Sequence, residues 1–186
     1  MELPHLLNAA ENYKESFGAK DNKYVGALSV ELIKLALREN GIVTSARDVF
    51  IRGVPLEIDL LIPSADAKPD YGLVYRPEEV SAVLEIKTRG CYGEKALNAI
   101  RAAFDLIRKT NPRIGCAYVT LTELKRYKYA VSEENLGHNA FTFAWHTREH
   151  MKPGKWPSTP EEWQKLVTPG EWDRFLDWVK GQGAGR

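Results

Sequence analysis

The chain has 186 residues, of which 44% are hydrophobic and 27% are charged. These values lie near the average for folded soluble domains, so they exclude a wholly disordered chain and a fibrous repeat, and the length predicts a single domain over residues 1–186. The net charge is only +1, but residues 85–128 hold ten basic and four acidic side chains and therefore carry a net charge of +6. Such a segment is compatible with a nucleic-acid partner and equally with a solvated helix face.

Cysteine spacing and hydropathy argue against several further classes of protein. Cys91 and Cys116 have no paired CxxC spacing, which argues against a zinc knuckle, an iron–sulfur cluster and a disulfide framework. The start of the chain has no basic region followed by a long apolar run, and no stretch approaches 18 consecutive apolar residues. We therefore expect a cytoplasmic protein without a membrane partner.

The first predicted element is a helix over residues 22–39, because apolar residues from Tyr24 to Ala36 recur at helical spacing. Asn40 and Gly41 provide a stop signal, since both residue types tolerate the left-handed cap conformation. Glu31 borders the apolar stripe of this helix, so its side chain leans over the edge of the core or is solvated.

Two short β-type runs follow, at residues 47–53 and 56–63, and the Gly53-Val54-Pro55 sequence between them predicts a hairpin. Alternation in the second run places Glu57 and Asp59 on one face. Residues 63–77 are typical of a long loop or an elaborated hairpin tip, and residues 81–88 predict a third strand.

The second half of the chain predicts a helix, two strands and two terminal helices. Residues 94–110 have an apolar face at helical spacing, and the apolar run 114–122 follows as a strand covered on both faces, which suggests a parallel crossover. Residues 141–146 are a further strand candidate. Capping boxes that begin at Thr159 and Thr168 predict two short helices. We thus expect a core over residues 22–146 and a helical extension over 159–181.

Charged side chains in the middle of two predicted strands indicate a candidate functional site. Glu85 and Lys87 are two residues apart and share a face, and Asp59 stands beside them if its strand pairs with theirs. Burial of an unpaired charge is costly, so such strands need a partner for each charge. Two carboxylates with water and a phosphate oxygen form the oxygen shell that Mg²⁺ prefers. The alternative is a simple surface ion pair between Glu85 and Lys87.

This arrangement resembles the PD-(D/E)XK nuclease superfamily, which has a restriction-endonuclease-like fold. The resemblance rests on Glu31 in the first helix, on the strand V-P-L-E-I-D-L-L-I that contains Asp59, and on V-L-E-I-K ending at Lys87. The order of helix, three-strand meander, helix and strand from about residue 22 to 122 also resembles the family core. One departure is Ile58, where the family motif has proline. The resemblance implies an α/β fold with a central mixed sheet flanked by helices.

The resemblance also implies roles for individual residues. Asp59 and Glu85 would bind Mg²⁺, with Mn²⁺ as a substitute, and the backbone carbonyl of Ile86 would complete the protein ligands. Lys87 would orient or activate the attacking water and neutralise charge on the phosphate. Glu31 would be an auxiliary catalytic residue and metal ligand.

The sequence therefore predicts a metal-dependent endonuclease that hydrolyses DNA, of the restriction or the repair and recombination type. A catalytically inactive nucleic-acid-binding module and a structural α/β domain are the alternatives. Basic side chains after the motif are candidates for contact with the phosphate backbone, namely Arg89, Lys95, Arg101, Arg108, Lys125, Arg126 and Lys128. A homodimer would supply two active centres, with Trp163, Trp172 and Trp178 of the tail as its proposed contact.

Overall fold

A computed structural model describes residues 2–16, 22–90, 93–150, 152 and 154–183 of the chain. Two helices open the fold, α1 (Leu3–Ser16) and α2 (Asn22–Glu39). Helix α2 confirms the prediction for residues 22–39. Helix α1 was not predicted, although Leu3, Leu6, Leu7 and Ala10 follow helical spacing and are buried.

The strands before the motif form the predicted hairpin, but they belong to two sheets. Their bounds are β1 (Val49–Ile51), β2 (Glu57–Ile58), β3 (Leu60–Pro63), β4 (Val74–Tyr75) and β5 (Val80–Arg89). A small sheet has the order β2-β1-β4, with β1 and β2 antiparallel. Strand β3 instead pairs antiparallel with β5. The single strand predicted over residues 56–63 is thus two strands, β2 and β3, and the chain passes from the small sheet to the main sheet at Asp59.

Helix α3 (Glu94–Thr110) connects β5 to the parallel strand β6 (Gly115–Leu124), which confirms the predicted crossover. A short helix α4 (Glu133–Leu136) precedes β7 (Asn139–His146), and β7 is parallel to β6. The main sheet therefore has the order β3-β5-β6-β7 and is mixed. Almost every residue of β6 is buried, as expected for a strand covered on both faces.

Two hydrophobic cores lie on the two sides of the main sheet. On one side, α1 and α2 pack with Leu84 and Ile86 of β5 and with Val119 of β6. On the other side, α3 packs through Ile100 and Phe104 with Val83 and Tyr118. This arrangement is the predicted α/β fold, with a mixed sheet between helices. Among the residues described, no helix combines the length and the apolar character needed to cross a bilayer.

The tail forms the two predicted helices, α5 (Pro160–Gln164) and α6 (Glu171–Gly183). Thr159 caps α5, since its side chain accepts a hydrogen bond from the backbone N–H of Glu162. The second predicted cap is wrong. The backbone N–H of Thr168 donates to Phe143 in β7, and Gly170 has φ +71°, so α6 begins only at Glu171. Within the described chain, the buried Thr168 hydroxyl has no hydrogen-bond partner.

Candidate active site

Asp59 lies at the break between β2 and β3. At this position its side-chain carboxylate, rather than a backbone carbonyl, accepts a hydrogen bond from β5. Leu60 pairs with Leu84 of β5, which brings the preceding residue beside Glu85 and Ile86. The Asp59 Oδ2 accepts a hydrogen bond of 2.8 Å from the backbone N–H of Ile86. This bond fixes the carboxylate against the middle of β5 and leaves its second oxygen for another partner.

Lys87 joins this carboxylate to Glu85. The Lys87 Nζ lies 2.5 Å from Glu85 Oε1 and 3.6 Å from Asp59 Oδ2. The side chains of Asp59, Glu85 and Lys87 remain 26%, 27% and 40% exposed, respectively, so a ligand from solvent has access to them. The structure therefore brings together three of the residues that the sequence analysis selected, from two strands far apart in the chain.

The electrostatics of the three groups depend on one another. Burial raises the pKa of Glu85, the neighbouring Asp59 charge raises it further, and Lys87 opposes both effects. For Lys87, burial favours the neutral amine, but the negative charges of Glu85 and Asp59 outweigh this effect and raise its pKa. Lys87 is thus an ammonium at neutral pH. When both carboxyl groups are ionised, the cluster carries an excess negative charge, and a bound cation favours that state.

An apolar crevice borders Glu85. It has a volume of about 220 Å³ and lies between β2, β5 and α3. Val83, Ile100 and Phe104 contribute apolar walls, and Glu57 and Glu85 are its acidic residues. A larger, more polar cleft of about 460 Å³ lies at the other end of the sheet, around Gly115, Asn139 and Trp178. None of the three clustered charged residues lines that larger cleft.

The oxygen donors at this cluster suit a hard divalent cation. Mg²⁺ commonly takes one or two protein carboxylates and fills its octahedral shell with waters and phosphate oxygens. Asp59 and Glu85 provide two carboxylates around one ammonium. Across the described ranges, no group of three or more His, Cys, Asp or Glu side chains is placed to hold a metal. A Mg²⁺ ion here would therefore depend on water and substrate for most of its ligands.

Glu31 lies apart from these contacts. Its side chain is 51% exposed and forms an ion pair of 3.6 Å with Lys34, one turn further along α2. Helix α2 packs on the face of β5 that carries Leu84 and Ile86, whereas Glu85 and Lys87 extend from the opposite face. The roles of Glu31 and of the Ile86 carbonyl as metal ligands stay predictions.

A polar contact that was not predicted holds α2 against the motif strand. The Thr88 and Ser29 hydroxyls lie 2.6 Å apart, and Thr88 Oγ1 also donates to the Val25 carbonyl at 3.2 Å. Ser29 is fully buried. A serine within the buried part of an amphipathic helix is the signal that indicates this contact in the sequence, because a buried hydroxyl needs a partner. The contact fixes β5 at the residue next to Lys87.

Comparison with known proteins gives a structural result only. No protein-family model and no curated protein matches the sequence. The chain is similar to solved structures of NucC from E. coli MS115-1. For the cAAA-bound form the TM-score is 0.56 at 10% identity, covering 98% of this chain and 92% of the other. For the apo form the TM-score is 0.51 at 12% identity, covering 98% and 93%.

A third match is the cAAA-bound form of NucC from P. aeruginosa ATCC27853. Its TM-score is 0.50 at 12% identity, and the alignment covers 76% of this chain and 75% of the other. Because the identities are so low, these similarities concern the fold alone. Together with the order of elements from α2 to β6, they show that the chain has a restriction-endonuclease-like fold.

Proposed function

We propose that this protein is a metal-dependent endonuclease that hydrolyses phosphodiester bonds of DNA. The observation that carries the proposal is the contact of one ammonium, Lys87, with two carboxylates, Asp59 and Glu85, at the accessible break between the two sheets. The restriction-endonuclease-like fold supports it, because the sequence motif and the fold point independently to the same chemistry.

Asp59 and Glu85 are the residues that would hold Mg²⁺. When bound, such an ion acidifies a coordinated water and offsets charge on phosphate oxygens. The hydrogen bond from the Ile86 N–H fixes the orientation of the Asp59 carboxylate before any ligand binds. A preorganised ligand of this kind loses little conformational entropy on binding.

Lys87 contributes a fixed positive charge. In the absence of a metal, the two carboxylates raise the pKa of Lys87 and keep it protonated, so it can attract and orient a phosphate. An ammonium aimed at the position where negative charge develops stabilises the transition state. The apolar crevice beside Glu85 places a low-dielectric surface next to the site, which strengthens electrostatic interactions there.

Cleavage assays on plasmid and linear DNA with Mg²⁺ test the proposal. We expect Asp59→Asn, Glu85→Gln and Lys87→Met each to reduce the cleavage rate about 100-fold or more, as loss of one preorganised group typically does. Glu57→Gln is the matched control, since Glu57 lines the same crevice but belongs to the small sheet. Unchanged cleavage by Glu85→Gln in a folded protein would falsify the assignment.

One observation favours a second candidate, a nucleic-acid-binding module without catalysis. Asp59 and Glu85 are only two carboxylates, and in the part of the chain that the structure describes no third His, Cys, Asp or Glu completes a metal-binding group with them. Calorimetry separates the candidates. A nuclease binds Mn²⁺ in a manner that depends on Asp59 and Glu85, whereas a binding module takes up DNA without binding the metal.

A further inference from the structure

The basic residues that follow the motif do not form one surface. Arg89 is turned inward, where it contacts Glu11 at 3.0 Å and lies over the Trp156 ring at 4.5 Å. Arg101 donates hydrogen bonds to the Asn98 side chain and to the Asn135 carbonyl. The side chains of these two arginines are engaged in contacts within the protein. We therefore look for the residues that bind a phosphate backbone among the other cations.

The strongest remaining group is the basic segment, which we define as residues 125–129 with the sequence Lys-Arg-Tyr-Lys-Tyr. Lys125, Arg126 and Lys128 are exposed. Among the residues described, no Asp or Glu oxygen lies within 4.0 Å of a side-chain nitrogen of these three. Lys128 lies over the Tyr129 ring, with its Nζ 5.2 Å from the ring centroid. Three neighbouring cations without a carboxylate partner favour an anionic ligand.

Backbone contacts hold the basic segment in a defined shape. The Lys125 N–H donates to the His146 carbonyl at the end of β7 at 2.6 Å. Two turns follow, closed by bonds from Tyr127 N–H to the Leu124 carbonyl and from Ala130 N–H to the Tyr127 carbonyl. Arg126 has φ +64°, which is uncommon for a residue with a side chain. The segment is therefore a structured turn, and the backbone positions of its three cationic residues are fixed.

The basic segment follows the carboxyl end of β6, and Lys87 of the site lies in the carboxyl-terminal half of β5. Lys87 is level with Thr120 in the parallel register of β5 and β6, and the segment begins five residues after Thr120. At about 3.3 Å per residue, Lys125 lies about 16 Å beyond Lys87 along the strand direction. Phosphates of one DNA strand are about 3.4 Å apart along the helix axis, so this distance corresponds to about five nucleotides.

We propose that the basic segment binds the phosphate backbone of duplex DNA on one flank of the scissile bond, about five nucleotides away, and that it does so without reading the base sequence. This inference rests on the proposed function, because it takes DNA as the ligand of the neighbouring site. Contacts to phosphates position a duplex but carry no sequence information directly. Their signature is a release of counterions, so affinity falls steeply with salt.

The test measures DNA binding in a background that leaves the DNA intact. In the Glu85→Gln protein, fluorescence anisotropy gives the affinity for a mixed-sequence duplex at 50 to 200 mM salt. The test variant adds Lys125→Gln, Arg126→Gln and Lys128→Gln. The control variant adds Lys109→Gln, Arg113→Gln and Lys180→Gln, which removes one arginine and two lysines that are exposed elsewhere on the molecule.

Three phosphate contacts account for about 2.7 units of the logarithmic salt slope. We expect the parent and the control variant to lose about 40-fold more affinity over this salt range than the test variant does. The affinity of the test variant should also be lower by the same factor for every duplex sequence. An unchanged salt slope in the test variant, or an equal loss in the control variant, overturns the inference.

The two proposals fail differently. If the wild-type protein cleaves DNA but the test variant keeps the parental salt slope, the basic segment is not the phosphate contact, and the nuclease assignment stands. If the salt slope falls as expected but the wild-type protein does not cleave DNA, the segment binds DNA and the nuclease assignment fails. Absence of DNA binding at 50 mM salt contradicts both.

Discussion

Glu79 is a buried carboxylate whose hydrogen bonds are satisfied. Its Oε1 accepts from Arg76 Nη2 at 2.6 Å and from the Lys68 N–H at 3.2 Å, and its Oε2 accepts from the Arg76 N–H at 3.0 Å. The Arg76 hydrogen bonds lower the pKa of Glu79 from its ordinary value of 4.5 to about 2. Glu79 lies immediately before β5, so these bonds fix the start of the motif strand.

Replacing Glu79 with glutamine should lower the free energy of unfolding at pH 7 by about 1 to 3 kcal/mol, because bonds to a charged group are lost. Since the folded-state pKa is depressed, the stabilisation is complete above about pH 4.5 and is lost as the pH falls through 2. Urea unfolding at pH 7 and at pH 2.5 measures the difference. Glu78→Gln, which alters a 69% exposed neighbour, serves as the control. An effect of Glu79→Gln that is as large at pH 2.5 as at pH 7 contradicts this explanation.

Glu123 is a buried carboxyl group with only part of its hydrogen-bonding capacity used. Its Oε1 accepts from the Leu124 N–H at 2.8 Å, and within the described chain its Oε2 has no hydrogen-bond partner. Burial raises the pKa of Glu123 from 4.5 to about 7, and the Leu124 bond opposes the shift. A raised carboxyl pKa means that the folded state disfavours the charged form.

The folded protein should consequently lose stability between pH 4.5 and about 7 through this one residue, because the unfolded chain ionises Glu123 first. We expect Glu123→Gln, which resembles the protonated acid, to remove about 2 kcal/mol of that pH dependence. Chemical unfolding of both proteins at pH 5 and pH 8 provides the measurement. Identical pH profiles of the two proteins would contradict a raised pKa of Glu123 in the folded state.

At the scale of elements, Gly90 at the end of β5 leaves room for the Glu123 carboxyl group of β6. A Cβ atom at this position would lie 1.6 Å from Glu123 Oε2. The glycine thus allows β5 to approach β6 at the residue where β5 ends, and its N–H donates to the Thr122 carbonyl at 3.0 Å.

The Gly90→Ala variant should be less stable by about 1 to 3 kcal/mol, as overpacking usually costs. Glu123→Ala removes the obstructing carboxyl group, so the double variant should be more stable than the sum of the single effects. Thermal unfolding of the four proteins gives the coupling energy. Gly26→Ala in α2 is the control, since nothing lies within 4 Å of its Cβ position, and it should be neutral or slightly stabilising. Strict additivity of Gly90→Ala and Glu123→Ala would rule out the contact.

The sequence predicted the elements whose periodicity is long and uninterrupted. Helices α2 and α3 and strands β5, β6 and β7 agree with their predicted positions, because each has a repeated spacing or an apolar, β-rich run over six or more residues. The division of residues 56–63 at Asp59 was not predictable in this way, since it depends on which sheet each half joins. Strand β4 has only two residues and no periodicity to read.

Prediction of the site had a similar limit. The alternation in β5 placed Glu85 and Lys87 on one face, and the structure shows them in contact with each other and with Asp59. The hydrogen bond from the Ile86 N–H to Asp59 could not be predicted, because it requires the register of two distant strands. Lys125, Arg126 and Lys128 were selected by their charge in one group with Arg89, and their separation from the inward-turned Arg89 depends on tertiary contacts.

At the scale of the whole molecule, the tail is part of the core rather than a separate surface. Trp163 is 1% exposed and packs against Trp156, with a distance of 5.5 Å between ring centroids. Trp172 and Trp178 are half-buried against Phe143 and Phe141 of β7. These contacts lie within one chain, so Trp163 does not provide the dimer surface proposed from the sequence. The dimer itself stays a prediction.

Truncation of Trp163 therefore should act on stability and not on assembly. We expect Trp163→Ala to lower the free energy of unfolding by about 3 to 5 kcal/mol, the usual cost of removing a large buried aromatic ring. Chemical unfolding combined with light scattering distinguishes the two effects, and Tyr71→Ala at a 98% exposed position is the control. Loss of a dimer without loss of stability would show that Trp163 lies at an interface.

We propose that Asp59 and Glu85 hold one divalent cation beside Lys87, and the whole assignment depends on this ion. Anomalous diffraction from crystals soaked in Mn²⁺ tests it most directly, because the signal locates the metal without assuming a substrate. We predict a single strong peak in contact with both carboxylates, and its disappearance in crystals of Glu85→Gln. A peak bound elsewhere, or an unchanged peak in Glu85→Gln, would contradict the account.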